Sequence, residues 1–196
     1  FSVLHKGKDL GRVRLNLPGR HNVLDALATV VTGLSIGLTV EQMAAGLALF
    51  HGAKRRFQTK GRVQGVWVVD DYAHHPTEVA TTLLAARQTK PGRIVCAFQP
   101  HRYSRTKLLA KEFGTAFGEA DVLVLTDVYA AGEAPIEGIS GRTILDAVRE
   151  ATGREAAYIP ERADVALHLG AIAEPGDIVL TMGAGDIWKT GEELVA

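Results

Sequence analysis

The sequence predicts an α/β domain built on a doubly wound, mostly parallel, Rossmann-like sheet, and three observations support this fold class. Five short apolar runs recur after residue 65, and a segment with helical spacing follows each of them. These runs are apolar throughout rather than alternating, which is typical of strands that are buried on both faces. The first run ends abruptly in polar side chains ahead of a helix, which is how an open α/β sheet builds a site.

The chain before this domain predicts a β-hairpin followed by two helices. Residues 1–17 are predicted to form the hairpin, because polar and apolar side chains alternate over residues 12–17 and residues 7–9 supply a turn. From Asn22 the apolar residues follow helical spacing as far as a stop at Gly37. Thr39 and Gln42 have the spacing of a capping box, which predicts a second helix that runs to about Phe50.

The basic run Lys54-Arg55-Arg56 marks the predicted boundary between these two parts. The segment from Arg56 to Gly65 is expected to add a leading strand or hairpin. The five strands are predicted at residues 66–69, 94–98, 122–126, 156–159 and 178–182. The five helices that follow them are predicted at residues 77–88, 106–117, 140–152, 162–173 and 186–195.

Composition narrows the class of protein. The 196 residues carry 22 basic and 22 acidic side chains, and this balance argues against a general nucleic-acid binder or an anionic-membrane binder. Cys96 is the single cysteine, so a disulfide or a cysteine-based zinc site within one chain is excluded. No signal peptide or membrane span is visible, which fits a cytoplasmic protein. The start at Phe1, already in strand-like sequence, predicts a piece of a longer protein.

The candidate site follows from the residues at the carboxyl ends of the predicted strands, where open α/β sheets bind ligands. The first strand ends in the run Asp70-Asp71-Tyr72-Ala73-His74-His75. The second ends in residues 99–106, which include His101, Arg102 and Arg105. These two loops contain far more functional groups than a connection needs, so we predict a binding site there.

The residue types in these loops suggest which chemistry the site performs. Arg102 and Arg105, three residues apart at a helix start, can present forked donors to one carboxylate or phosphate; the alternative is a pair of surface arginines. A metal site built from histidines and aspartates is the less favoured alternative, because the adjacent arginines would repel a cation. Gly183-Ala184-Gly185 is interpreted as a tight turn, and the sequence has no phosphate loop and no nucleophile elbow.

Six runs of the sequence resemble the Mur ligase family. The two runs that are specific in combination are DDYAHHPTE and FQPHRYSRT, at residues 70–78 and 98–106. Within the family, the runs are most similar to members that join L-alanine to UDP-N-acetylmuramate. Members that recycle murein tripeptides share the first run and are the alternative. The other four runs are GRHNVLDALA (19–28), RRFQ (55–58), VYAAGEAPIEG (128–138) and GAGDI (183–187).

The resemblance implies a three-domain cytoplasmic ligase of peptidoglycan precursor synthesis, a pathway that supports cell shape and cell division. Such an enzyme forms an acyl phosphate on UDP-N-acetylmuramate with ATP, and L-alanine then attacks it. Residues 1–55 would be the end of the central ATP-binding domain and residues 56–196 the complete C-terminal domain. The N-terminal domain, the phosphate loop and the Mg²⁺ ligands would lie upstream, so the piece alone is expected to be inactive.

The resemblance also implies roles for individual residues of the nucleotide site. His21 and Asn22 match positions that meet the adenine, whereas Asp25 stands where the family usually has asparagine. A carboxylate cannot donate to an adenine nitrogen, so Asp25 cannot replace an asparagine as a donor there. Arg56 matches an arginine that reaches the γ-phosphate, and Asp71 matches the aspartate that contacts the ribose.

The remaining implied roles concern the amino acid. The residues that match those holding L-alanine and the acyl phosphate are Tyr72, His74, His101, Arg102 and Arg105. Of these, His74, Arg102 and Arg105 are the candidate catalytic residues, with a neutral histidine taking a proton from the attacking amine as our hypothesis. Two other function classes stay open: a non-catalytic α/β module that binds an amino acid or nucleotide, and a metal-dependent hydrolase that uses three histidines.

Overall fold

The computed structural model describes residues 1–196 as two units, Phe1–Ala53 and Lys54–Ala196. The first unit begins with an antiparallel hairpin of β1 (Ser2–His5) and β2 (Lys8–Arg12). Two helices follow, α1 (Arg20–Ser35) and α2 (Val40–Leu49). The predicted hairpin and both predicted helices are confirmed, although β2 ends earlier than the alternating pattern suggested.

Local chemistry explains the elements of the first unit. The predicted capping box at the start of α2 is present, because Thr39 Oγ1 accepts from the Gln42 N–H and Gln42 Oε1 accepts from the Thr39 N–H. Hairpin and helices share a small buried cluster of apolar side chains, namely Val3, Val13, Val30, Val40 and Met43.

The second unit alternates strands and helices, as the sequence predicted. Its elements in chain order are β3 (Gln58–Val63), β4 (Val66–Asp71), α3 (Pro76–Gln88), β5 (Ile94–Phe98), α4 (Tyr103–Leu108), α5 (Ala110–Ala116), β6 (Val122–Leu125), α6 (Gly141–Thr152), β7 (Ala157–Tyr158), α7 (Arg162–Ile172), β8 (Ile178–Met182) and α8 (Trp188–Val195). None of the eight helices of the protein combines the length and apolar character needed to cross a membrane.

The six strands of the second unit form one sheet in the order β3-β4-β8-β5-β6-β7. β3 runs antiparallel to β4, as in a hairpin, and every other pairing is parallel. β8 is the last strand of the chain, yet it lies in the interior of the sheet. Asp70 of β4 pairs with Thr181 of β8, and Phe98 of β5 pairs with Met182 of the same strand.

Helices cover both faces of this sheet, which confirms the doubly wound fold. On one face, α3, α5 and α6 contribute Leu83, Phe113 and Ile144 to a buried cluster with the strands. On the other face, Val165 and Leu169 of α7 pack with the strands in a second cluster, which α8 also joins. The core therefore lies on either side of strands whose side chains are buried on both faces.

One predicted helix differs from the structure. The segment predicted as a single helix at residues 106–117 forms α4 and α5, which meet at Leu109. Phe113 of α5, and Phe117 just after it, pack on the ring of Phe98 in the sheet. Helical spacing alone did not reveal the break, because both short helices keep the same period.

Candidate active site

Loops from four parallel strands meet at the carboxyl edge of the sheet. We predicted a site from the loops that follow β4 and β5, which are consecutive in sequence. Because β8 lies between these two strands, its loop, residues 183–187, lies between the two histidine-containing loops. The loop after β6 completes the group through a bridge between His101 and Tyr129.

The turn after β4 uses its two histidines differently. His75 is the N-cap of α3, since its Nδ1 accepts from the Thr77 N–H at 3.3 Å, and its side chain is exposed. Glu78 completes the capping box by accepting from the N–H groups of His74 and His75, at 3.0 and 3.1 Å. Burial acts to raise the pKa of Glu78, but these bonds and the neighbouring His74 bring it below its ordinary value. The side chain of His75 therefore caps α3.

His74 has a geometry suited to accepting a proton. Its Nδ1 lies 3.0 Å from the Tyr72 carbonyl oxygen and 3.2 Å from Glu78 Oε2. Both neighbours are acceptors, so we assign the ring proton to Nδ1, which leaves a lone pair on Nε2. The His74 ring meets the edge of the His101 ring at a centroid distance of 5.9 Å. The structure thus brings together two of the three histidines singled out in the sequence.

His101 is held as a neutral acceptor. Its Nδ1 lies 3.1 Å from Nη1 of Arg105, and a guanidinium can only donate. The imidazole stacks on Tyr129 with centroids 5.8 Å apart. Burial, followed by the positive charge of Arg105, lowers the pKa of His101 from its ordinary value of 6.5. The positive charge of this loop therefore resides on its arginines.

The loop after β6 holds Arg102 in an unusual conformation. Arg102 has a φ of 72°, in the left-handed region that residues other than glycine rarely adopt. Its N–H donates to the Tyr129 carbonyl at 2.9 Å. Glu133 accepts from the N–H and the hydroxyl of Ser104, at 3.0 and 2.6 Å. Glu133 was not among the predicted site residues, although it lies in the run VYAAGEAPIEG that carried the family resemblance.

The two aspartates at the end of β4 point into the protein. Asp71 accepts from the N–H groups of Phe57 and Ala73, at 2.7 and 2.8 Å, and from the Thr82 hydroxyl at 3.3 Å. Burial raises its pKa, against the effect of these bonds. Asp71 is 5% exposed, so it has a structural role here that the sequence did not indicate. Its predicted contact with a ribose stays a prediction.

The glycine loop after β8 is a tight turn, as predicted. A Cβ on Gly183 would lie 2.6 Å from the Gln99 carbonyl oxygen, and one on Gly185 would lie 2.6 Å from Cγ of Tyr129. The Gln99 side chain accepts from the Ile187 N–H at 3.1 Å and donates to Asp186 at 2.9 Å. Only glycine fits this close approach, so the loop is packed against its neighbours rather than open.

The predicted adenine residues belong to the first unit and lie in the first turns of α1. Asn22 donates to the Pro18 carbonyl at 2.6 Å, and its Nδ2 lies 3.2 Å from His21 Nε2. His21 Nδ1 is buried without a hydrogen-bond partner. Asp25 is exposed. No group of three or more His, Cys, Asp or Glu side chains in the protein is arranged to hold a metal ion.

Comparison with known proteins gives a consistent result. A family model described as Mur ligase, glutamate ligase domain, matches residues 55–185. This chain is 52% identical over 98% of its length to a UDP-N-acetylmuramate–L-alanine ligase of Pelotomaculum thermopropionicum. It is 55% identical, over the same share, to the ligase of that name from Desulforamulus reducens. The chain spans 42% of the length of each of these curated relatives.

Two solved structures are similar to most of this chain. A UDP-N-acetylmuramate–alanine ligase from Thermotoga maritima superposes with a TM-score of 0.77 at 30% identity, covering 93% of this chain and 39% of that chain. A murein peptide ligase from Psychrobacter arcticus gives a TM-score of 0.64 at 26% identity, covering 93% of this chain and 38% of that chain. The alanine ligase is therefore the more similar of these two structures.

Proposed function

Because this chain belongs to the Mur ligase family, we propose that it forms the amino-acid-binding part of an ATP-dependent, ADP-forming ligase. The proposed reaction joins L-alanine to UDP-N-acetylmuramate in the cytoplasm, as a step of peptidoglycan precursor synthesis. The observation that carries the proposal is the neighbourhood of Arg102 and Arg105, where His101 is neutral and His74 presents a free ring nitrogen. An amino acid needs both features, a cationic fork for its carboxylate and a base for its amine.

Recognition of the carboxylate is assigned to the arginines. Arg102 and Arg105 both follow β5, and a guanidinium binds a carboxylate through two parallel N–H donors. His101 accepts from Arg105 and so orients that guanidinium without competing for the anion. Tyr72 lies beside His74, with ring centroids 5.3 Å apart, and is assigned to the wall of the same pocket.

Activation of the amine is assigned to His74. An ammonium group has no lone pair, so it must lose a proton before it can attack the acyl phosphate of UDP-N-acetylmuramate. Nε2 of His74 is the acceptor in this assignment, while Glu78 and the Tyr72 carbonyl oxygen hold the proton on Nδ1. These two acceptors beside Nδ1 also fix the orientation of the ring. Catalysis then rests mainly on positioning.

ATP would supply, when bound, the phosphoryl group that activates the carboxylate of UDP-N-acetylmuramate. The residues present fit its adenine, because the buried Nδ1 of His21 has a hydrogen-bonding capacity that the chain does not use. We assign His21 and Asn22, with Asp25 nearby, to the adenine, Asp71 to the ribose and Arg56 to the phosphates, where a cation stabilises transferred charge.

The side chains of this chain form no group arranged to hold a metal ion such as Mg²⁺. We therefore assign no residue here to Mg²⁺. Its ligands are assigned to the part of the complete enzyme that lies outside this chain.

The test compares this chain with the complete enzyme that carries it, called the full-length ligase below. We expect phosphate release from the full-length ligase only when ATP, UDP-N-acetylmuramate and L-alanine are all present, and none from this chain alone. Turnover by this chain alone, or a preference for a murein tripeptide over L-alanine, would contradict the proposal. Calorimetry with this chain separates the remaining alternative, because a dedicated binding module would bind L-alanine or ATP tightly by itself.

A further inference from the structure

The side chain of Arg55 contacts three parts of the candidate active site. Its Nε donates to the buried Asp70 carboxylate at 3.1 Å. Its two Nη atoms donate to carbonyl oxygens of the glycine loop, one to Gly183 and the other to Gly185 at 3.2 Å. The plane of the guanidinium lies over the Tyr72 ring, 4.8 Å from its centroid. Arg55 was part of the run RRFQ in the sequence, but no role was assigned to it.

These contacts use properties that only arginine has. The N–H groups at the edge of the planar guanidinium donate to the Asp70 carboxylate and to the two glycine carbonyls, while its face stacks on the Tyr72 ring. A lysine offers one compact ammonium group, which cannot make the fork and the stack at the same time. The contacts at position 55 therefore require an arginine, and a positive charge alone would not reproduce them.

The groups that Arg55 contacts, Tyr72 and the glycine loop, lie on the two sides of the proposed amino-acid pocket. Tyr72 touches the His74 ring on one side. On the other side, Gly185 lies against Tyr129, which stacks under His101. The glycine loop lies between the two histidine-containing loops, so a shift of this loop would move both.

We propose that Arg55 is a positioning residue, which holds the Tyr72 ring and the glycine loop so that the two halves of the amino-acid pocket face one another. This inference rests on the function proposed above. Arg55 is assigned no contact with substrate. Its effect on the reaction passes through Tyr72, Gly183 and Gly185.

A simple structural role is the competing explanation, and the chain offers a matched control for it. Arg93 precedes β5 and so lies at the opposite edge of the same sheet. It donates to the buried Asp177 through Nε and Nη2, at 3.0 and 2.7 Å, and to the Ile172 carbonyl at 3.0 Å. Arg93 thus resembles Arg55 in pairing with a buried aspartate and donating to the backbone, but it has no part in the pocket.

The experiment compares Arg55→Lys with Arg93→Lys in the full-length ligase. We expect Arg55→Lys to raise KM for L-alanine by about tenfold, the order of change expected when the hydrogen bonds that orient a binding site are lost. KM for ATP should change by less than about twofold, since the nucleotide residues are assigned elsewhere. Arg93→Lys should leave both constants unchanged, even where the two variants lose similar thermal stability.

Hydrogen exchange gives a readout that does not depend on turnover. Amides of the loop from Gly183 to Ile187 should exchange faster in Arg55→Lys than in Arg93→Lys. Equal exchange in the two variants, or equal effects of Arg55→Lys on both KM values, would overturn the positioning role. If the wild-type ligase shows no turnover that depends on L-alanine, the proposed function fails instead, and the exchange comparison still decides whether Arg55 holds the loop.

Discussion

The Nδ1 atom of His101 lies 3.1 Å from Nη1 of Arg105, and this one hydrogen bond fixes the charge of the loop that follows β5. The guanidinium donates, so the imidazole must keep a lone pair on Nδ1. Because His101 is neutral, Arg102 and Arg105 are the cations of this loop that can bind a carboxylate. The loop after β5 is therefore basic, and its two arginines are not crowded by a third positive charge.

The pKa of His101 should accordingly be measurable as lowered. Burial and Arg105 lower it in the folded protein from 6.5, so the unfolded chain binds more protons as the pH falls below that value. The contribution of neutral His101 to stability is thus present above pH 6.5 and is lost as the pH falls through the folded-state pKa. An NMR titration of the His101 ring should give a midpoint below 6.5, and Arg105→Met should raise that midpoint. A wild-type midpoint at or above 6.5 would contradict the assignment.

Arg102→Ala should weaken the use of L-alanine by the full-length ligase. Loss of a charge-assisted hydrogen bond to a carboxylate amounts to about 1.5–3 kcal/mol, so KM for L-alanine should rise roughly 10- to 150-fold. KM for ATP should change far less. Arg149→Ala is the matched control, because Arg149 is an exposed arginine near the end of α6 that pairs with Glu155. Equal rises in both KM values for Arg102→Ala would remove the carboxylate role.

Glu133→Ala should loosen the turn that carries Arg102. The substitution removes both bonds from Ser104, and a net change of about 1 kcal/mol corresponds to a roughly fivefold higher KM for L-alanine. Glu133→Gln keeps an acceptor for Ser104 and should show a smaller effect. Glu155→Ala, which removes an exposed carboxylate from Arg149, serves as control. The idea is wrong if Glu133→Ala and Glu155→Ala behave alike in steady-state kinetics.

Gly185→Ala should destabilise the protein, whereas Gly170→Ala should not. A Cβ at Gly185 would press on Tyr129 and on the Gln99 side chain, and overpacking of this kind costs about 1–3 kcal/mol. Gly170 lies within α7 with open space where a Cβ would be added, so alanine should stabilise the helix by about 0.5–1 kcal/mol. Chemical denaturation of the two variants measures the difference directly. A neutral effect at Gly185 would show that the loop yields more easily than its contacts suggest.

Strong local signals in the sequence predicted much of the fold. The bounds of β5 and β8 agree with prediction because each is an apolar run with clear polar or glycine flanks. Pro76 and Glu78 marked the start of α3, and Thr39 with Gln42 marked that of α2. Such features act within a few residues, which is the range that a single sequence reveals.

Long-range relationships were not predictable in this way. No local pattern states that β8 pairs with β4 and β5, so the central position of its loop emerged only in the structure. Nothing in the sequence linked Asp71 to its partner Phe57, which precedes the first strand of the β3–β4 hairpin. Arg55 meets Gly183 and Gly185 from the other end of the domain sequence. In these cases the residue type was visible in the sequence but its partner was not.

The place of β8 in the sheet also bears on how the protein is made. Trp67 must pair with Ile178, and Ile94 pairs with the same residue from the other side, so the middle of the sheet is translated last. Until β8 leaves the ribosome, β4 and β5 each present an unpaired edge to the nascent chain and its surroundings. Exposed apolar edges of this kind recruit other strands. A message truncated shortly before the codon for Ile178 should therefore yield an aggregating polypeptide that depends on chaperones, rather than a domain that has merely lost its final helix.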